Sequence, residues 1–140
     1  MRDRRRALKR AIWESDLIGS RFTLALGEFF WAMMLLWPGD SFSRPTYEHM
    51  SRVMGEEAWG VMFLISSIIQ ISIVLSSKMN STFAWYFTGW NFCFWGYTVW
   101  SMLASVYPPP AAIGGEIAMA LSAGWIWLRP IILSESDCNK

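Results

Sequence analysis

The sequence predicts an all-α integral membrane protein: a four-helix bundle with a short interfacial helix in the first outer loop and a basic amphipathic helix at the N-terminus. Three observations carry that expectation. Hydrophobic residues make up 54% of the 140 residues and charged residues only 16%, against roughly 25% charged in a soluble domain. Windows at roughly 17–37, 58–78, 83–106 and 111–133 each approach the ~20 apolar residues that a helix needs to cross a hydrocarbon core about 30 Å thick. Six of the twelve Lys and Arg residues fall within the first ten positions, directly before the first window.

The chain has room for one domain, 1–140. Its basic segment, 1–16, contains "RRRALKRAIW", read as a helix with Leu8, Ala11 and Ile12 toward lipid and the basic residues toward headgroups. Such a cluster also suits nucleic acid, but its position beside a span points to the membrane, and no nucleic-acid partner is expected. A cleaved signal peptide is not predicted. The apolar stretch is too long, Arg21 and Glu28 interrupt it, and no small-residue cleavage site follows "LLWPGD".

Backbone groups in lipid must be satisfied internally, so the spans are helices, and the short alternation of a β-barrel is absent. Orientation follows from the basic residues near the span ends. With the N-terminus in the cytoplasm, Arg2, Arg4, Arg5, Arg6, Lys9, Arg10, Lys78, Arg129 and Lys140 lie inside, and only Arg44 and Arg52 lie outside. The predicted location is the bacterial cytoplasmic (inner) membrane with both termini in the cytoplasm.

The connections fit this order. "WPGD" ends the first span at Trp37, with Pro38 and Gly39 as helix stoppers. The outer loop, 38–57, contains "SRPTYEHMSRVMGEE", read as one short helix with Ser43 as N-cap and Pro45 in its first turn. Tyr47, Met50, Val53 and Met54 then share a face laid on the outer membrane surface. Gly55 breaks this helix, and Glu56 and Glu57 sit at the positive end of the second span. "SKMNST" is a tight inner turn, "YPPPAA" a rigid outer one, and 134–140 a polar tail.

Small residues at four-residue spacing mark helix contacts in lipid. Gly19, Thr23 and Gly27 form one such stripe, Ala118 and Ser122 another, Ala120 and Gly124 a third, and Gly89 and Gly96 share a face of the third span. They are read as packing within the bundle. In that third span Trp85, Trp90, Trp95 and Trp100 recur every fifth residue, a turn of about 140° each on a helix of 3.6 residues per turn. They spiral around the helix instead of lining one wall, and only Tyr86, Trp90 and Tyr97 remain as a local group.

Enzyme chemistry finds no footing. His49 stands in the loop without other ligands nearby, and Cys93 and Cys138 suit neither a disulfide nor a zinc site, so no metal and no cofactor is expected. No glycine-rich phosphate loop and no nucleophile elbow is present.

The charges inside the spans are the lead to function. Arg21 and Arg129, with Lys78, are read as inner-leaflet anchors whose long side chains reach the headgroups. Glu28 is too short for that and lies near mid-membrane. The helix rise of about 1.5 Å per residue puts Ser66, Ser67 and Gln70 of the second span and Asn91 of the third at its depth. These residues are predicted to form an intramembrane polar layer, as a clamp on helix register or as a proton or cation site.

The run "ALGEFFWAMMLLWPGDSFSRPTYEHM", followed by "EEAWGVMFL", resembles small polytopic membrane proteins encoded by tailed bacteriophages. That resemblance implies a host-envelope setting and no particular chemistry. The function expected is therefore non-enzymatic: a membrane protein that binds a partner, as a superinfection-exclusion or virion-associated factor does. Its partners would be the lipid bilayer, another membrane protein or a second copy. The alternatives are a holin-like lysis pore and a small proton-coupled transporter using Glu28. A pore needs a continuous polar face, which these spans lack. Small multidrug-resistance transporters share four helices and a glutamate in the first, but not the basic N-terminal extension or the long first outer loop.

Overall fold

A computed structural model describes residues 2–39, 41–76, 81–106 and 113–138, and the side chains of 17–39, 41–76, 82–106 and 113–129. The described chain is all-helical: α1 (Arg2–Leu36), two 3-10 turns (Ser41–Ser43 and Pro45–Tyr47), α2 (Glu48–Ser51), α3 (Glu56–Leu75), α4 (Ser81–Ser105) and α5 (Ile113–Cys138). Lys78 and the outer turn at 107–112 lie outside the described residues.

The basic N-terminal segment is not a separate helix. It continues into the first predicted span as one helix of 35 residues, about 50 Å long. The sequence explains this, because the first proline is Pro38 and the Ala, Leu, Arg and Lys residues before it are strong helix formers. At the other end of the chain, α5 runs through most of the expected tail, to Cys138.

The four long helices alternate in direction. Ser67 Oγ donates to Ala25 O and Arg21 Nη1 to Gln70 Oε1, so α3 runs against α1. Ser66 Oγ donates to Asn91 Oδ1 while Phe63 packs on Phe94, so α4 runs against α3. A Cβ on Gly89 would meet Trp127, and one on Gly124 would meet Phe92, so α5 runs against α4. Closest packing pairs α1 with α3 and α4 with α5. Large rings fill the space between the pairs: Trp31, Trp59, Phe63, Phe94 and Trp95, with Leu24, Leu35 and Ile126.

Around this apolar core, large apolar side chains also lie outside and several polar ones inside. Phe30 is 67% exposed, Leu75 79% and Leu121 66%, while Glu28, Gln70 and Asn91 are 0% exposed. Among the described residues one helix, Glu56–Leu75, is long and apolar enough to cross a membrane by length and composition, with a mean hydropathy of 2.1. Arg21 and Glu28 lower the apolar balance of α1, and α4 carries much of its bulk as indole and phenol rings.

The first loop departs from expectation. It is two 3-10 turns and one α-helical turn instead of a single helix, and Arg44, extended at φ −78° and ψ 137°, takes the cap position before Pro45. Its apolar side chains turn toward the protein and not outward to a membrane surface. Met50 is fully buried, Tyr47 stacks on Phe42 and meets Trp31 edge-on, and only Val53 of the predicted face is largely exposed. The reason is hydrogen bonding. Trp59 Nε1 donates to Met50 O (3.1 Å), Tyr97 OH to His49 O (3.3 Å), and the His49 amide to Ser105 Oγ (3.4 Å). The Glu56 carboxylate, at the start of α3, accepts the amides of Ser41 and Phe42 at 3.1 and 3.3 Å. The loop is thus a cap tied to α3 and α4.

Candidate functional site

The polar residues predicted at one depth are all enclosed: Glu28 on α1, Ser66, Ser67 and Gln70 on α3, and Asn91 on α4. Each helix turns them inward by the same pattern. The buried stripe of α1 passes through Arg21, Leu24, Ala25, Glu28, Ala32 and Leu35, spaced by three or four with one adjacent pair. On α3 the stripe is Trp59, Phe63, Ser66, Ser67 and Gln70.

Their contacts divide the layer into two hydrogen-bonded pairs and one open centre. Ser66 Oγ donates to Asn91 Oδ1 at 2.9 Å, and Arg21 Nη1 donates to Gln70 Oε1 at 3.2 Å. Ser67 spends its hydroxyl on the backbone, at Ala25 O (2.8 Å). Glu28 faces Ser66 and Trp95, yet neither of its carboxyl oxygens meets a hydrogen-bond partner. Trp95 Nε1, Asn91 Nδ2 and Gln70 Nε2 are likewise unpartnered. An enclosed carboxyl group thus lies in a layer that contains three unspent N–H groups.

Both described cationic side chains predicted as anchors are enclosed. Arg21 is only 7% exposed and bends inward to Gln70 instead of extending to headgroups, because Gln70 offers it a carbonyl oxygen inside the bundle. Arg129 is 6% exposed. Lys78 lies outside the described residues.

The small-residue stripes also divide. Added Cβ atoms at Gly27, Gly89 and Gly124 would meet Met119, Trp127 and Phe92 at 2.5, 2.7 and 3.0 Å, so these three lie at close helix contacts. Gly19 and Gly96 have nothing within 4 Å, Thr23 and Ala118 are exposed, and Ser122 and Ala120 are half-buried. The Thr23 hydroxyl donates to Gly19 O within its own helix. The stripe of α1 therefore points mostly away from the bundle, and Gly27 alone in it seats another helix. Nor do Tyr86, Trp90 and Tyr97 group: Tyr86 meets Trp85, Trp90 stacks on Phe94, and Tyr97 stacks on Trp59.

Sequence reasoning missed Trp95, which faces Glu28, and Gly60, whose added Cβ would lie 2.7 Å from Leu36. A signal for Trp95 was present. Thr88, Asn91, Thr98 and Ser101 are the polar residues in the middle of an aromatic helix, and Trp95 falls on the stripe they define.

Compared with known proteins, the chain matches no family model, no curated protein and no solved structure. Among the described residues no group of His, Cys, Asp or Glu is placed to hold a metal ion.

Proposed function

We propose that this chain is a small, non-enzymatic integral membrane protein of the bacterial cytoplasmic membrane that acts by binding a partner, with both termini inside. The observation that supports it best is the pattern of exposure: Phe30, Leu75 and Leu121 face outward while Glu28, Gln70 and Asn91 are enclosed. Outward apolar surface on this scale is unfavourable in water and favourable in lipid. The resemblance of residues 25–50 and 56–64 to tailed-phage membrane proteins supports the host envelope as its setting.

The recognition surface in this reading is the cap. Its hydrogen bonds to α3 and α4 hold it in one shape, and Arg44, Pro45, Glu48, Ser51, Arg52 and Val53 remain exposed on it. A prearranged surface loses little entropy on binding. Against the lysis-pore alternative stands the enclosure of Glu28, Ser66, Ser67, Gln70 and Asn91 within one chain, which leaves these residues no part in a polar outer face for copies to share.

Membrane residence and topology are tested together. The protein should resist alkaline carbonate extraction. In intact cells an impermeant thiol reagent should label a Ser43→Cys variant that lacks Cys93 and Cys138. Release by carbonate would sink the membrane reading, and labelling of native Cys138 from outside would invert the topology. Timed expression with a cytoplasmic endolysin checks the alternative: abrupt endolysin release would put the pore ahead of partner binding.

A further inference from the structure

Glu28 lies between two different surroundings. Toward the ends of α1 and α3 that carry Arg21 and Gln70, a cavity of about 290 Å³ is lined by Leu17, Arg21, Ile73, Val74, Trp85 and Ile126, among others. Arg21 belongs to that cavity and hydrogen-bonds Gln70, which sits one helical turn from Ser66, the residue facing Glu28. Toward the cap the rings of Trp31, Phe63 and Trp95 close together, with centroids 5.4, 5.2 and 6.2 Å apart, and Trp59 and Met50 pack beyond them. Ser66, Gln70 and Arg21 lead from Glu28 toward the cavity, whereas toward the cap the rings are joined only by Thr98 and Ser101, whose hydroxyls donate to backbone carbonyls of their own helix.

The chemistry of the layer selects the ligand. A metal cation would need several oxygen donors, whereas the unspent group facing the carboxyl is the Trp95 N–H, and the layer's other unspent groups, on Asn91 and Gln70, are N–H donors too. Those donors suit a carboxyl group that gains and loses a proton. The neutral form tolerates enclosure without a partner, and small side-chain rotations let N–H groups donate to the ionised form.

We propose that Glu28 is a reversible proton-binding site, served from the Arg21 cavity and sealed from the cap by the Trp31–Phe63–Trp95 cluster. Among the described side chains the charged and titratable groups on the elements around it are few. α1 supplies Arg21, its other charges lying within residues 2–16, α3 has Glu56 and Glu57 only at its cap end, α4 has Tyr86, Cys93 and Tyr97 but no charged residue, and α5 has Glu116 near Trp31 and Arg129, with Glu135, Asp137 and Cys138 in its last turns. Glu28 is the carboxyl group at the level of the Ser66–Asn91 pair.

The test uses the full chain in lipid vesicles and a lipophilic carbodiimide, which adds across a protonated carboxyl to leave a stable N-acylurea with nothing expelled. Peptide mass spectrometry should find the adduct on Glu28 at acidic pH, falling by about tenfold or more once the pH favours the carboxylate. It should be absent from Glu28→Gln, with any adduct on Glu116 unchanged. When pH is varied on one side only, labelling should follow the side that carries the termini. No adduct on Glu28, or the same yield at every pH, overturns the proton site, and labelling that follows the cap side overturns the sealed geometry. The proposal rests on the membrane reading for its medium alone: a protein that resists carbonate but leaves Glu28 unlabelled fails this proposal and keeps that reading.

Discussion

Trp59 joins the cap to the bundle in two separable ways, and two substitutions tell them apart. Its ring is 2% exposed and stacks on Phe94 and Tyr97 with centroids 5.3 and 5.8 Å away, and its Nε1 donates to Met50 O at 3.1 Å. Trp59→Phe keeps a ring but loses the donor. The Met50 carbonyl is not orphaned by that change, because the amides of Val53 and Met54 also reach it at 3.1 and 3.4 Å. The loss is therefore one net hydrogen bond, about 0.5–1.5 kcal/mol, with a little more for the smaller ring. Trp59→Ala removes the ring from an enclosed site and should cost about 3–5 kcal/mol. Unfolding in detergent micelles measures both changes, and trypsin cleavage after exposed Arg52 reports the cap alone. Cleavage should rise slightly for Trp59→Phe and strongly for Trp59→Ala. Equal costs for the two variants, or unchanged cleavage in Trp59→Ala, would refute the view that this ring holds the cap.

Three further outcomes follow from the same packing. Gly89→Ala drives a Cβ to 2.7 Å from the Trp127 ring, whose backbone carbonyl accepts from Trp85 Nε1, so thermal unfolding should show a loss of about 1–3 kcal/mol. Gly27→Ala meets the flexible end of Met119 and should cost less, while Gly19→Ala meets nothing and should gain a few tenths to about 1 kcal/mol from helix propensity. Burial, then the nearby Glu116, holds the Tyr47 phenol above its ordinary 10.0, with Glu56 adding and Arg44 opposing. The unfolded chain therefore loses this proton first, and the folded state binds more protons above about pH 10, so cap stability falls as pH rises there. Cap opening, followed by trypsin, should increase in that range and be blunted in Tyr47→Phe.

Composition and chain order were enough to determine the helices. Runs of apolar residues of this length are bounded in the sequence by Pro38, Gly55 and the prolines at 108–110, residues that stop a helix or weaken it. Depth was legible in part, since the rise per residue is constant: Ser66 and Asn91, counted to one level, do pair, whereas Gln70, counted to the level of Glu28, pairs with Arg21 instead. What a sequence does not contain is the direction each helix turns its faces. Trp90, Trp95 and Trp100 look alike in the chain, yet Trp95 is fully enclosed beside Glu28 while the other two are 54% and 56% exposed. Arg21 could reach headgroups or Gln70, and the choice belongs to the neighbouring helix that presents the carbonyl. The loop residues could lie on lipid or fold back, and Trp59, Tyr97, Ser105 and Glu56, all distant in sequence, decide it by supplying hydrogen-bond partners. Rotation about a helix axis is set by contacts between segments, so only the tertiary structure could decide which polar groups are paired and which, like the Glu28 carboxyl, are left without a partner.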